Sequence, residues 1–177
     1  MNYQNKMREI KIEKITLNIG VGQPGEKLEK AIKLLTIISG MKPVQTKTMK
    51  RIPTWGLRPN LSIGCKVTLR DSKAEEVLPR LLRAIDNTLD ISKFDEQGNF
   101  SFGIKEYIDI PGVNYEVDIG IIGLEAAVTL ERPGYRVKKR KVKRGNIPKR
   151  HLITKEESLN FIQKKFHVKI AEGELEA

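Results

Sequence analysis

The sequence has 177 residues, of which 39% are hydrophobic and 31% are charged. This composition suits one globular domain with a hydrophobic core, with or without a tail, and excludes a disordered chain. The longest apolar runs, such as residues 34–38, are far too short to span a bilayer. Residues 1–8 lack the apolar centre of a signal peptide, and the single cysteine, Cys65, has no partner for an internal disulfide. We therefore expect a protein of the reducing cytoplasm that makes no membrane contact.

The net charge of +11 is concentrated in two stretches that contain no Asp or Glu. The first basic stretch, residues 44–70, carries six Lys or Arg residues, and the second basic stretch, residues 132–151, carries ten. A face that is merely solvated usually carries both signs of charge. The two stretches therefore predict contact with a polyanion such as RNA, with a solvated charged face or a localisation signal as the alternative.

In chain order, the first predicted element is a strand. Residues 9–18 alternate apolar and polar side chains, except for a step at Glu13 and Lys14 that suggests a bulge. Residues 25–39 have the apolar spacing of a helix, and Gly40 is a favourable left-handed stop. Three further elements follow: a short strand over residues 43–46, a long basic loop over residues 47–62, and a return strand over residues 63–70.

The second half of the chain begins with a helix. Residues 72–75 have the pattern of a capping box, and the apolar stripe over residues 74–89 has helical spacing. Pro79 lies inside this stripe and predicts a kink or a delayed start. The remaining predicted elements are strand-like segments over residues 100–110 and 117–130, a short final helix opened by a capping box at residues 154–157, and a frayed acidic end over residues 171–177.

This order of elements predicts an α+β fold, in which an antiparallel sheet has helices packed on one face and leaves the other face open. In small RNA-binding folds, such an open face binds bases and backbone. We expect an α+β RNA-binding domain over residues 1–131, with the long basic loop between two of its strands. Residues 132–177 would form a basic C-terminal extension with a short helix. Because residues 136–150 have no periodic apolar stripe, we expect that run to be extended until a partner orders it.

Residues 20–25 match the G-x-G-x-x-G fingerprint of dinucleotide-binding proteins and lie between a predicted strand and a helix. However, the preceding strand alternates, and no acid stands about twenty residues further on to bind a ribose. A tight turn is the favoured interpretation, although free amides at the helix start could bind an RNA phosphate. Cys65 alternates with apolar residues, and no Cys or His cluster has metal-ligand spacing. We expect no catalytic residue, no cofactor and no metal site.

The basic loop contains the single tryptophan of the sequence. Trp55 is surrounded by Lys50, Arg51 and Arg58, which places phosphate-binding cations beside an aromatic ring that can stack on an unpaired base. The alternative is that Trp55 folds back and fills the core of the loop.

Several blocks of the sequence occur together in the order typical of one known protein family. They are residues 15–22, 40–44, 63–70, 98–100, 102–106, 123–125, 131–134 and 136–141. With these blocks the chain resembles large ribosomal subunit protein five, the universal family that binds 5S ribosomal RNA. The basic ending is similar to that of archaeal and eukaryotic members, because bacterial members stop sooner.

The resemblance implies a set of RNA-binding positions. In the family, the concave face of the sheet binds 5S ribosomal RNA, and the matching positions here are Asn18, Lys42, Thr46, Lys47, Lys66 and Thr68. Even spacing along the return strand adds Arg70 to the face that holds Lys66 and Thr68. The basic extension would tether the protein to large-subunit ribosomal RNA through Arg136, Lys138, Lys139, Arg140 and Lys141.

The resemblance also implies partners beyond ribosomal RNA. The loop over residues 50–60 would reach peptidyl-site transfer RNA, with Lys50, Arg51, Trp55 and Arg58 at the contact. The far end of the sheet would contact a small-subunit head protein, and neighbouring large-subunit proteins are further expected partners. Two positions depart from the family pattern: Met41 replaces a usual Gln, and Trp55 replaces an aromatic residue that is commonly Phe.

We therefore expect a non-catalytic structural constituent of the large ribosomal subunit that binds 5S ribosomal RNA in the cytoplasm. Two alternatives belong to other classes. One is a freestanding RNA-binding regulator with the same sheet, which co-sedimentation with ribosomal particles would distinguish. The other is a nucleotide-dependent enzyme that uses the turn over residues 20–25, which thermal protection by NAD or ATP would support.

Overall fold

The computed structural model describes residues 5–171 of the chain. The strands are β1 (Lys11–Gly20), β2 (Val44–Lys47), β3 (Ser62–Leu69), β4 (Thr88–Asp90), β5 (Phe100–Ile104), β6 (Leu124–Glu131) and β7 (Lys169–Ala171). The helices are α1 (Glu26–Ser39), α2 (Asp71–Arg83), α3 (Arg136–Lys139) and α4 (Lys155–Phe166). The acidic end that the sequence predicts to fray lies, apart from Ala171, outside the described residues.

Five of these strands form one antiparallel sheet in the order β2-β3-β1-β6-β5. Side chains along β1 and β3 alternate between buried and accessible, because successive residues of a strand point to opposite faces. On the covered face, Ile15, Leu17 and Leu69 are fully buried and pack in one core with residues such as Leu34 of α1 and Leu78 of α2. The predicted α+β fold is confirmed. The opposite face of the sheet is called the open face below.

β1 contains the bulge that its sequence suggests. Ile12 pairs with Leu130 and Lys14 pairs with Thr129, so Glu13 is an extra residue in the ladder between β1 and β6. A bulge re-aims a side chain and locally bends the strand. Because Glu13 takes no position in the ladder, the apolar residues on both sides of the bulge stay on the covered face.

The start of α2 differs from the prediction. The helix begins at Asp71 and has no side-chain cap, so the capping box expected at residues 72–75 does not form. Asp71 itself has a positive φ of 53°, which turns the chain into the helix one residue before the expected cap. Pro79 lies inside the helix, so the delayed start is wrong: α2 continues through the proline.

The two strands predicted over residues 100–110 and 117–130 are shorter in the structure, because β5 ends at Ile104 and β6 begins at Leu124. Tyr107–Asp109 forms a 3-10 turn. The fully buried Tyr107 accepts a hydrogen bond from the backbone N–H of Glu116 at 3.0 Å. The connection is therefore a series of turns pinned to the core by a buried aromatic side chain.

The C-terminal extension packs on the same core as the sheet. Ile153, Ile162 and Val168 are buried in the hydrophobic cluster that also contains the covered face. α4 opens with the predicted capping box, in which the Thr154 hydroxyl accepts a hydrogen bond from the Glu157 N–H at 3.4 Å. After α4, β7 pairs in parallel with β4.

The prediction that residues 136–150 are extended is wrong for α3 and for the start of the 3-10 turn Lys149–His151. Between these elements the chain folds back on itself. The N–H of Gly145 donates to the carbonyl of Val137 at 3.2 Å, and Lys143 has a positive φ of 51°. Such local backbone bonds leave no apolar periodicity in the sequence, so the pattern could not reveal them.

Candidate nucleic-acid interface

The open face is built from rows of side chains that cross the sheet in register. In the central row, Asn18 on β1 lies between Lys66 on β3 and Glu125 on β6. The Asn18 side-chain amide donates to a carboxylate oxygen of Glu125 at 3.3 Å. Residues paired across strands point to the same face. The next row holds only small side chains: Thr68, Thr16, Ala127 and Ser101.

A third row contains Thr46, Gly64 and Gly20. A Cβ atom at Gly64 would lie 2.7 Å from the carbonyl oxygen of Ile19 and 2.9 Å from the hydroxyl oxygen of Thr46. Only glycine fits there, and its absence of a side chain allows close approach of the neighbouring groups. This close approach holds the Thr46 side chain against the sheet, one row from Asn18.

Cations border this surface on its β2–β3 side. Lys66 and Arg70 are exposed on or just after β3, and Lys42 and Lys47 are exposed just before and at the end of β2. One guanidinium nitrogen of Arg70 lies 3.6 Å from a carboxylate oxygen of Glu13, the extra residue of the bulge. The structure thus brings the seven predicted sheet positions to the open face or its β2 edge, with Arg70 partly neutralised.

The basic loop between β2 and β3 is a small hairpin. Ile52 and Leu57 exchange two backbone hydrogen bonds of 3.0 Å each. Below them, the N–H of Thr48 donates to the carbonyl of Leu61 at 2.9 Å, and its hydroxyl donates to the carbonyl of Arg58. These bonds give the loop a defined path, although it contains two prolines and projects beyond the sheet.

Trp55 lies at the tip of this hairpin with 70% of its surface exposed, whereas Leu57 is 8% exposed. Leu57, and not Trp55, fills the core of the loop, so the alternative that Trp55 folds back as a plug is wrong. The cations of the same loop, Lys50, Arg51 and Arg58, are all exposed. Stacking of Trp55 on RNA stays a prediction.

The first amides of the turn over residues 20–25, ahead of the helix start, are already hydrogen-bonded. The N–H groups of Val21 and Gly22 both donate to the carbonyl of Ile63, at 2.9 and 2.8 Å. The first turn of α1 carries Glu26 and Glu29, whose charges oppose an anion at the helix N-terminus. The strand before the turn belongs to an antiparallel sheet, which lacks the crevice of a dinucleotide-binding fold.

The second basic stretch is anchored by a buried arginine. Arg132 is 4% exposed. Its guanidinium donates to the carbonyls of His151 at 3.2 Å and Leu152 at 3.0 Å, and it lies 2.8 Å from a carboxylate oxygen of Glu157. Burial alone would raise the pKa of Glu157, but hydrogen bonds from Arg132 and from the Thr154 N–H hold it below its ordinary value. One residue therefore fastens both ends of the basic run to α4.

Tyr135 and His151 form a second anchor. The Tyr135 hydroxyl donates to the carbonyl of His151 at 3.2 Å and accepts from the N–H of Ile153 at 3.0 Å. Burial raises the pKa of Tyr135 above its usual range, so the hydroxyl keeps its proton. The His151 ring lies 3.0 Å from the carbonyl of Pro133, which closes the loop of chain between them.

Lys139 differs from the other predicted extension cations. Its ammonium lies 2.7 Å from a carboxylate oxygen of Glu13 and 2.7 Å from one of Glu131. Burial alone would lower the pKa of Lys139, but the hydrogen bonds to the two carboxylates raise it above its usual range. α3 is thereby tied to the open face. The remaining predicted cations of the extension are exposed: Arg136, Lys138, Arg140 and Lys141.

Among the described residues, the single cysteine is unreactive and no cluster suits a metal ion. Cys65 is fully buried, and burial raises the pKa of its thiol to about 11, which removes the thiolate needed for nucleophilic attack at neutral pH. Residues 5–171 contain no grouping of His, Cys, Asp and Glu that could hold a metal ion. In the same part of the chain, no helix is long and apolar enough to cross a bilayer.

Comparison with known proteins decides the family. Residues 5–58 match the family model described as ribosomal protein L5, and residues 62–161 match the model for the C-terminus of the same ribosomal family. The chain belongs to the ribosomal protein L5 family. The resemblance seen in the sequence is confirmed, and because L5 proteins are components of the ribosome, so is the expectation that the chain is not an enzyme.

Relatives named Large ribosomal subunit protein uL5 match over nearly their whole length. The protein from Nanoarchaeum equitans is 52% identical over 168 residues, covering 94% of this chain and 99% of the relative. That from Sulfurisphaera tokodaii is 49% identical over 170 residues, covering 96% of each. That from Methanococcus maripaludis is 46% identical over 167 residues, covering 93% and 92%. These sources are archaeal, in agreement with the archaeal type of the basic ending.

Sequence reasoning missed three residues that shape this surface: Glu13, Glu125 and Arg132. The step at Glu13 was visible as a break in alternation, but its contacts with two cations were not. Glu125 pairs with Asn18 across strands that are far apart in sequence. Arg132 was counted as one more positive charge, because composition does not distinguish a buried guanidinium from an exposed one.

Proposed function

We propose that this chain is a structural constituent of the large ribosomal subunit that binds 5S ribosomal RNA through the open face of its sheet. The observation that carries the proposal is the composition of that face: rows of small and polar side chains bordered by cations on the β2–β3 side. Small hydroxyl and amide groups bond ribose hydroxyls and base edges, whereas lysines meet phosphates. Family membership supports the same partner.

Asn18 has the central role in this proposal. Its amide lies in register with Lys66 and donates to Glu125, which fixes its orientation and leaves its carbonyl oxygen available to a donor on the RNA. Thr68 and Thr16 are paired with each other in the next row, and each carries a hydroxyl group. An RNA backbone that crosses these rows would contact lysine and hydroxyl groups together.

We further propose that the loop between β2 and β3 contacts peptidyl-site transfer RNA. Trp55 is exposed at the tip of a hydrogen-bonded hairpin whose cations Lys50, Arg51 and Arg58 are also exposed, and this supports the contact. An aromatic ring in a cationic setting stacks on a base or ribose while the cations neutralise phosphates. The second basic stretch, by the same reasoning, tethers the protein to surrounding ribosomal RNA.

The connection between β5 and β6 is proposed to contact a neighbouring ribosomal protein, such as one of the small-subunit head. Tyr115, Val117 and Ile121 are exposed there, by 53%, 83% and 67%. Glu116 and Asp118 lie among them. An apolar surface with interspersed acids suits a basic protein partner.

Filter binding of the purified chain to 5S ribosomal RNA and to random RNA of equal length, across a salt series, tests the central proposal. Lys66→Gln is expected to lower the affinity for 5S RNA about tenfold at low salt and to reduce the salt slope by about 0.9 or less. Lys33→Gln is the matched control, because Lys33 is an exposed lysine on α1, on the other side of the sheet.

Thr68→Val removes a hydroxyl without changing charge or shape. We expect it to weaken 5S RNA binding while leaving the salt slope and the random-RNA affinity unchanged. Equal affinity of the wild-type chain for 5S and random RNA would contradict the proposal. Absence of the chain from sedimented large subunits would instead favour a freestanding regulator.

A further inference from the structure

A crevice lies where the C-terminal extension crosses the open face. Its volume is about 360 Å³, within the range of about 300–1,000 Å³ that is typical of small-ligand sites. β6 and the segment before β5 form one wall, and α3 with the turn after it forms the other. The polar side chains that matter below are Gln97, Asn99, Thr129, Tyr135, Lys138 and Arg144.

Two of these side chains are already committed to the fold. The Tyr135 hydroxyl bonds His151 and Ile153, and the Asn99 amide donates to Asp95 and accepts from the N–H of Leu130 at 3.2 Å. These bonds fix the back of the crevice. A rigid wall lowers the entropy lost when a ligand binds.

The other groups are uncommitted within residues 5–171. Gln97, Thr129, Lys138 and Arg144 have neither a side-chain hydrogen bond nor an ion pair among those residues. The Arg144 side chain is exposed, but the backbone of the turn before it is fixed by the hydrogen bond from the Arg140 side chain to the carbonyl of Lys143 at 2.6 Å. The crevice thus presents two free cations and one free amide from rigid supports.

The acid in the crevice does not oppose an anion strongly. Glu13 lines it, but its carboxylate is paired with Lys139 at 2.7 Å and Arg70 at 3.6 Å. The local balance therefore favours a phosphate beside Lys138 and Arg144. A primary amide such as Gln97 both donates and accepts, as the Watson–Crick edge of a base requires.

We propose that this crevice binds one unpaired nucleotide of RNA, with its phosphate at Lys138 and Arg144 and its base beside Gln97. The inference rests on the proposed function, because it extends the RNA-binding face beneath the extension. A base in a duplex cannot enter, since its Watson–Crick edge is already paired and the helical backbone keeps it stacked. The crevice therefore gives the second basic stretch a preference for single-stranded RNA that charge alone does not provide.

The test compares a uridine-rich single-stranded RNA with the same strand annealed to its complement, using the full chain. Arg144→Gln removes a crevice cation, and Arg150→Gln removes an exposed cation of the same stretch outside the crevice. Both substitutions should lower the affinity for the duplex slightly and alike. Only Arg144→Gln should lower the affinity for the single strand further, by about tenfold.

Thr129→Phe fills the crevice without changing any charge. It should abolish the single-strand preference while leaving the salt slope for the duplex unchanged. With 4-thiouridine in the single strand, ultraviolet crosslinks should map to the peptides that contain Gln97 or Arg144, and they should disappear in Thr129→Phe. A melting temperature like that of the wild-type chain verifies that the variant is folded.

Equal loss of single-strand binding in Arg144→Gln and Arg150→Gln would overturn the proposal, as would a wild-type chain with no preference for the single strand. The two proposals can fail separately. If the chain binds 5S RNA specifically but its crosslinks avoid the crevice, the crevice proposal fails and the proposed function stands. If the crosslinks and the preference appear without any 5S specificity, the proposed function fails instead.

Discussion

The two basic stretches, with six and ten Lys or Arg residues, are built on different scaffolds. In the first, Lys66 is paired with strands on both sides and Thr68 with β1, so each side chain has a fixed position relative to Asn18. In the second, a few long-range contacts from Arg132 and Tyr135 fix the path of the chain, and most cations around them are exposed. Strand pairing fixes the position of each side chain, whereas a few anchoring contacts fix only the path of the segment between them. We infer that the first scaffold suits discrimination and the second suits adhesion.

The largest expected effect tests the anchor of the second stretch. Arg132→Ala should lower the free energy of unfolding by about 3–5 kcal/mol, because it leaves a partly buried carboxylate and two carbonyls without their donor. Urea unfolding followed by circular dichroism measures the change. Arg70→Ala is the counterpart in the first stretch. It should cost less than about 1 kcal/mol, because the Arg70 side chain is 55% exposed and Glu13 keeps its pair with Lys139. Equal losses would remove the distinction between the two scaffolds.

A second prediction concerns the first stretch. Gly64→Ala should lower the free energy of unfolding by about 2 kcal/mol. Its Cβ would lie 2.7 Å from the Ile19 carbonyl oxygen on β1 and 2.9 Å from the Thr46 hydroxyl oxygen on β2, which would push both strands away from β3. Gly103→Ala is the matched control on the same face, where an added Cβ meets nothing within 4 Å. A Gly64→Ala chain as stable as Gly103→Ala would show that the strands beside β3 adjust freely.

The pH dependence of stability should report on the second stretch. The pKa of Glu157 lies below its ordinary value of 4.5, so its contribution is complete above that pH and is lost as the pH falls through the lowered pKa. We expect Glu157→Gln to cost about 1 kcal/mol at neutral pH. The difference between the two chains should shrink in acid, as measured by urea unfolding at a series of pH values.

Glu26→Gln provides the comparison for that titration. The pKa of Glu26 is also lowered, by a hydrogen bond from Lys30 and by its charge, but this pair lies on the exposed surface of α1. If the difference in unfolding free energy between Glu157→Gln and the wild-type chain did not change with pH, the buried ion pair would be contradicted.

The smallest expected change in stability is that of Trp55→Ala, which should stay within about 0.5 kcal/mol because the ring is exposed. Leu57→Ala, two residues away, should cost about 2 kcal/mol because Leu57 fills the loop. The same Trp55→Ala variant should weaken transfer RNA binding to the peptidyl site of reconstituted large subunits. A large loss of stability in Trp55→Ala would instead indicate that the ring is buried in the core of the loop.

Short-range patterns predicted most of the sheet. The alternation around Cys65 and Val67 placed Lys66 and Thr68 on one accessible face, and the structure has them there. The break at Glu13 predicted the bulge. These features depend on neighbours within a few residues, so the sequence displays them directly.

The extension could not be predicted in the same way. The carbonyls that accept from Arg132 belong to residues 19 and 20 positions further along the chain, and nothing in the local pattern marks them. The sequence groups Lys139 with the RNA-binding cations, because no local pattern shows that carboxylates from β1 and β6 lie beside it. Its contact with RNA, like those of the other proposed residues, stays a prediction.

The bulge at Glu13 links the two basic stretches. Its carboxylate touches one cation from each basic stretch, Arg70 at 3.6 Å and Lys139 at 2.7 Å. If Glu13 alone were deleted, the pairs on either side of it would become consecutive pairs of one ladder. The other side chains of β1 would then stay on their present faces of the sheet. A one-residue insertion in the strand thus ties together two regions that lie far apart in the chain, and its loss would separate them without altering the architecture.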